Sequence, residues 1–136
     1  RGWEIYPRII YDMAMRIKQD YRNIDWFVAE SGMGVENEAQ FRNSDGIIED
    51  SYRIDFISEH LYYTLLAREE GANCHGYMLW AFTDNVSPMN AFKNRYGLIE
   101  IDLNDNRARR AKKSAAWFRQ LRDARELTLT VDDEWK

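Results

Sequence analysis

Cysteine is nearly absent from this 136-residue sequence, Cys74 being the only one. A lone thiol excludes an intramolecular disulfide and a cysteine-based metal site. Histidine is as scarce: His60 and His75 are isolated from each other, so no metal-ligand cluster is expected. Long apolar runs are missing too. No stretch of about 20 apolar residues occurs, and no charged start followed by an apolar core marks a signal peptide, which predicts no membrane span and a cytoplasmic protein. Neither a fixed-period repeat nor a low-complexity tract is present. Basic charge is also short, with a net charge of −4, and this argues against nucleic acid as a partner because phosphate backbones need a basic surface. The one basic cluster, Arg107, Arg109, Arg110, Lys112 and Lys113, is interrupted by alanines at the head of an expected helix and reads as a solvated face. The sequence opens on Arg1 rather than Met, directly ahead of a strongly patterned segment, and is expected to be a piece of something longer.

What is present is an ordinary globular composition, 45% apolar and 31% charged, with an aromatic excess of 14% that includes five Trp and eight Tyr. Such an excess either lines a pocket for ringed ligands or fills a large core, and composition does not choose between them. A chain of this length can bury about two thirds of its unfolded surface.

The most informative stretch is Asp25 to Gly34, D-W-F-V-A-E-S-G-M-G. Trp26 to Ala29 lack polar alternation and read as a strand buried on both faces, the kind a parallel sheet requires. Glu30 ends that strand and is followed by Ser31, Gly32 and Gly34, where parallel sheets and barrels place their chemistry. Glu30 is therefore the first candidate functional residue. Upstream, the apolar spacing from Ile9 to Tyr21 predicts a helix over Pro7 to Asp20, with Pro7 in its first turn. Downstream, Ser31 to Glu49 shows no period and reads as a polar loop walling a site. Asp50 and Ser51 offer an N-cap to a helix running to about Glu70, stopped by Gly71. Cys74 to Asp84 is a second buried strand, and the intervening helix makes a right-handed crossover. Trp80, Asp84, Asn85 and Ser87 are then expected to face the same pocket as Glu30. After an irregular loop to Tyr96, Gly97 to Leu103 alternates as an exposed strand, Asn104 to Asn106 turn, and a last helix covers about Ala111 to Leu127. Thr128 to Lys136 is expected to be a loosely held tail. Helix and buried strand alternate, so the fold class is α/β.

In order, G-W-E-I-Y-P, V-A-E-S-G, R-I-D-F-I-S-E-H-L, G-Y-M-L-W-A-F-T-D-N and R-Y-G-L-I-E-I-D resemble the carboxyl-terminal part of glycoside hydrolase family 1, over about Gly2 to Leu121. The resemblance implies that residues 1–136 are the C-terminal portion of a (β/α)8 TIM barrel, about its last two β/α units, in a single glycosidase domain. It also implies a catalytic role for Glu30, which matches the family nucleophile of T/A-E-N-G, with Ser31 in place of Asn. Retaining hydrolysis needs a second carboxylate, about 5–5.5 Å away, to protonate the leaving oxygen. The family's acid/base Glu lies in an N-E-P motif, and this sequence has none. The isolated chain is accordingly expected to be inactive, the whole protein being the enzyme, and the chemistry that the resemblance implies needs no cofactor.

Trp80 matches the family tryptophan that forms an apolar platform for the sugar. Ordinary members carry D-N-F-E-W where this chain has Asp84-Asn85-Val86-Ser87-Pro88, and the loss of the acid resembles the 6-phospho-β-glucosidase and 6-phospho-β-galactosidase branch. There Ser, Lys and Tyr of this loop hold the 6-phosphate, and Ser87, Lys93 and Tyr96 supply those types here. The branch usually has Lys two before Tyr, the position of Asn94. Either Lys93 swings in from the neighbouring position, or Asn94 donates a neutral hydrogen bond and Arg95 supplies the charge. The alternatives are an ordinary β-glucosidase of the same family, or a non-catalytic piece for binding or assembly, whose exposed strand edges would favour a homo-oligomer.

Overall fold

In a computed structural model of the chain, residues 4–129 are described. The elements run α1 (Ile9–Asp20), β1 (Trp26–Ser31), β2 (Val35–Glu36), a 3-10 turn (Glu38–Phe41), α2 (Ser51–Glu69), β3 (Cys74–Leu79), β4 (Asn94–Arg95), β5 (Ile99–Asp102), β6 (Ala108–Ala111) and α3 (Lys113–Ala124). The described residues divide into two compact units, residues 4–31 with 55–78 and 127–129, and residues 32–54 with 79–126.

In the first unit β1 and β3 are hydrogen-bonded neighbours, although α2 separates them in sequence. The helices approach each other through small residues: Ala14, Ala67 and Ala72 form the buried cluster, and Tyr11, Met15 and Trp26 pack on it. Polar ties fasten the two turns that precede the strands. Asn23 donates to Gly71 O at 2.9 Å, and Asn73 donates back to Asn23 O at 2.8 Å. The expectation of two doubly buried strands is corrected here. Phe27 and Met78 keep 56% and 51% of their surface exposed, and β3 ends at Leu79 rather than Asp84. A strand is buried on both faces only when layers lie on both sides of the sheet. The apolar cluster on which Trp26 packs supplies one such layer among the described residues, and the other side is open.

The second unit is held by short antiparallel ribbons, β2 with β4 and β5 with β6. The expected structureless loop over 31–49 contains β2 and the 3-10 turn, because Val35 and Glu36 find partners in Arg95 and Asn94, far along the chain. The basic cluster is likewise divided. Arg109 and Arg110 lie on β6, opposite Ile101 and Glu100, and Arg110 bonds Asp102 and Asp105 rather than heading a helix. The unit's interior is largely ionic: Glu38, Asp50, Arg53, Asp84 and Lys112 are all buried. Of the expected tail, the residues from Thr130 on lie outside the described residues. No helix among the described residues is long and apolar enough to cross a membrane.

Candidate active site

Glu30 is the fifth residue of β1, with its side chain exposed. The next residue fixes the strand end: Ser31 Oγ accepts a 2.8 Å hydrogen bond from the phenol of Tyr77 on β3. Burial pushes the Tyr77 phenol up to about 12, so it stays protonated and donating. Ser31 thus ties the end of β1 to the neighbouring strand one residue past the carboxylate.

The other candidates belong to the second unit. Trp80 follows β3 directly and is 42% exposed, which leaves ring surface available for stacking. Its main chain is closed off by Gly32, where a Cβ would fall 1.7 Å from Trp80 O. Ser87 and Ala91 form an isolated antiparallel bridge, with Ser87 N donating to Ala91 O at 2.9 Å, and Ser87 Oγ accepts from Met89 N at 3.3 Å. The serine hydroxyl therefore sits at the base of a tight turn. Asn94 and Arg95 make β4, with Asn94 opposite Glu36. Lys93 pairs with Glu36 at 3.1 Å, both side chains more than half exposed. Such a pair is worth about 0–1 kcal/mol and does not lock the ammonium in place. Tyr96 lies over Gly34, whose Cβ would come within 2.5 Å of the phenol ring.

Arg95 is engaged within the protein: its guanidinium bonds Ile101 O at 3.1 Å and faces Asp84 at 3.5 Å. One reading of this loop is corrected, since Asp84 is not a pocket residue. Its carboxylate is fully buried, accepting from Gly97 N at 3.0 Å and Ile101 N at 3.3 Å and pairing with Lys112 at 2.9 Å.

Asp84 is part of a ring that sequence reasoning missed. Arg53 and Lys112 each bond one oxygen of Glu38. Lys112 continues to Asp84, Asp84 takes the amide of Gly97, and Arg53 donates to Tyr96 O at 3.1 Å. The Tyr96–Gly97 peptide closes the circuit. Arg53 also donates to Met33 O at 2.8 Å and Arg95 O at 3.2 Å, and bonds Asp50 at 3.0 Å. The charges balance, with Glu38, Asp50 and Asp84 against Arg53, Lys112 and Arg95. A buried charge is tolerated on such terms only, paired and fully hydrogen-bonded. Tyr52 donates to Glu38 at 2.7 Å, and burial next to that carboxylate raises its phenol far above the usual range. A signal for Arg53 was available. It lies in helical register with Ile57, His60, Thr64 and Ala67, all buried, so a cation stood on the apolar stripe of α2.

Residues 1–127 match the family described as Glycosyl hydrolase family 1. The chain is 50% identical over 121 residues to 6-phospho-beta-glucosidase GmuD of Bacillus subtilis, covering 89% of this chain and 26% of that protein. It is 39% identical over 134 residues to a 6-phospho-beta-galactosidase of Clostridium acetobutylicum, covering 98% of this chain and 27% of that one. Among solved structures, a beta-glucosidase of Thermotoga maritima in complex with a substituted glucoimidazole superposes with a TM-score of 0.84 at 27% identity, over 93% of this chain and 28% of that chain. This chain thus spans about a quarter of the length of the curated relatives it matches. The fold is α/β, that of part of a β/α barrel.

Proposed function

The chain belongs to glycosyl hydrolase family 1, and from that footing we propose that the whole protein is a retaining glycosidase acting on 6-phospho-β-glycosides of the gluco or galacto series. Glu30 is its nucleophile. The observation that carries this reading is the exposed carboxylate at the end of β1, inside A-E-S-G, with the strand end beside it fixed by the Ser31–Tyr77 bond. Glu30 attacks the anomeric carbon and forms a glycosyl ester as the leaving oxygen is protonated; water then cleaves the ester. The proton comes from the acid/base Glu of the family's N-E-P motif, which this sequence lacks, so residues 1–136 alone do not turn over.

Trp80 offers its exposed face to the C–H side of the sugar ring. The 6-phosphate is taken by Ser87, Lys93 and Tyr96, with Asn94 as a neutral donor. The weak Lys93–Glu36 pair supports this, since a dianionic phosphate competes well for an ammonium held only by an exposed carboxylate. The phospho-specific names of the two curated relatives support it independently.

The test compares hydrolysis of nitrophenyl β-glucoside with that of its 6-phosphate by the whole protein, with Glu30→Gln as the blank. A higher kcat/KM on the phosphate, lost selectively in Ser87→Glu, is the expected result. Preference for the plain glucoside would instead favour an ordinary β-glucosidase, the reading in which Glu36 keeps Lys93 occupied. Should neither substrate be cleaved by the whole protein and the chain self-associate, the strand edges serve assembly, not catalysis.

A further inference from the structure

We propose that the buried ring of Arg53, Glu38, Lys112 and Asp84 is a positioning device for Tyr96, and that these four side chains, without touching the sugar, set the selectivity for phosphorylated substrates. The inference rests on the phosphate reading above and deepens it.

The geometry is specific to one peptide. Three main-chain groups around Tyr96 are held by side chains of the ring: Arg95 O and Tyr96 O by Arg53, and Gly97 N by Asp84. The phenol has a floor as well, because Gly34 leaves no room for the ring to sink. Arg53 carries the same grip to the segment leading into β2 through Met33 O, one residue before Gly34. One guanidinium therefore holds both carbonyls beside the Tyr96 ring and the main chain next to its floor.

Stability alone is a weak account of such an arrangement. Burying the five charges of Glu38, Asp50, Arg53, Asp84 and Lys112 gains little over a well-packed apolar interior of the same volume, whereas a fully satisfied ionic ring admits one geometry. One geometry is what recognition of a phosphate by a neutral phenol requires, since hydrogen bonds weaken steeply with angle. The cation of the same pocket is placed oppositely: Lys93 is on an exposed, loosely paired tether. A mobile charge attracts the anion, and a fixed phenol reads its position.

The experiment uses the whole protein and the two nitrophenyl substrates, plain and 6-phosphorylated. Glu38→Gln/Lys112→Met removes one charge of each sign and leaves Asp84 with Arg95 and two amides. The variant is expected to raise KM for the phosphorylated substrate about tenfold, a loss of the size that misplacing one hydrogen bond produces, with kcat/KM on the plain substrate little changed. Combining it with Tyr96→Phe should cost little more than either alone, because both remove the same contact. Lys112→Arg should restore part of the selectivity. Equal losses on the two substrates, or losses that add fully to Tyr96→Phe, would overturn the inference while leaving the phosphate reading intact. A wild type without phosphate preference overturns both. If the double variant does not fold, Arg53→Lys, which keeps the charge but cannot reach three carbonyls, is read by the same ratio.

Discussion

Asp50 precedes α2 in the chain but caps α3: its carboxylate accepts from Ser114 N at 2.8 Å and from Ser114 Oγ at 2.6 Å, with all these groups buried. The start of α3 has no cap of its own, and Lys113 N is likewise taken by Ile48 O. Ser114→Ala should therefore destabilise the fold by about 1 kcal/mol through loss of the hydroxyl bond. Asp50→Ala, which also strips Arg53 of a partner, should cost about 3–5 kcal/mol. Urea denaturation of the two variants checks the order, and equal midpoints would contradict it.

Gly32 and Gly34 differ in what they tolerate. An added methyl at Gly32 meets a backbone carbonyl, Trp80 O, at 1.7 Å, and a backbone atom cannot step aside. At Gly34 it meets the side chain of Tyr96, which can rotate. Gly32→Ala should give little folded protein. Gly34→Ala should fold and lose activity on phosphorylated substrate more than on plain substrate. Similar soluble yields with identical substrate ratios would refute the distinction.

His60 predicts the acid limb of the stability profile. Its Nδ1 faces Phe56 O at 2.6 Å, yet burial is the larger influence and lowers its pKa below the ordinary 6.5. With the folded pKa below the unfolded one, the unfolded chain holds the extra proton in between. Stability is then fully present above 6.5 and falls as pH is lowered through that window. His60→Gln should flatten the decrease in Tm between about pH 7 and pH 5, even if its Tm at neutral pH is lower. An unchanged slope would assign the acid limb to other groups.

Ser31 and Tyr77 form one hydrogen bond, so their deletions should not add. Tyr77→Phe and Ser31→Ala are each expected to cost about 1 kcal/mol, and the double variant little more than either. In the whole protein the same variants should lower kcat more than they raise KM, because the bond fixes the strand end beside Glu30 rather than the sugar. A change confined to KM would count against that role.

Much of this was legible in the order of residues. The α/β alternation, α1, α2, the strands at Trp26 and Cys74, and Glu30 at a strand end all follow from local apolar periodicity and punctuation, which short windows of sequence carry. The family is legible too, because five motifs stand in its order. What sequence left out is of one physical kind. In sequence Asp50 reads only as the residue that opens α2, whereas its carboxylate holds Ser114 at the start of α3; Asp84 reads as a pocket residue and lies in an ion ring; Arg95 reads as a loop cation and faces Asp84. Charged side chains have no period of their own, and long ones choose partners by proximity in space, here as far apart in sequence as Glu38 and Lys112. Two-residue strands such as β2 and β4 are invisible for the same reason: each exists only because the other is there. Sequence by itself determined the three helices, the strands at Trp26 and Cys74, the family and the candidate nucleophile. Tertiary structure alone decided which charges are buried together, and so which main-chain groups beside Tyr96 are held in place.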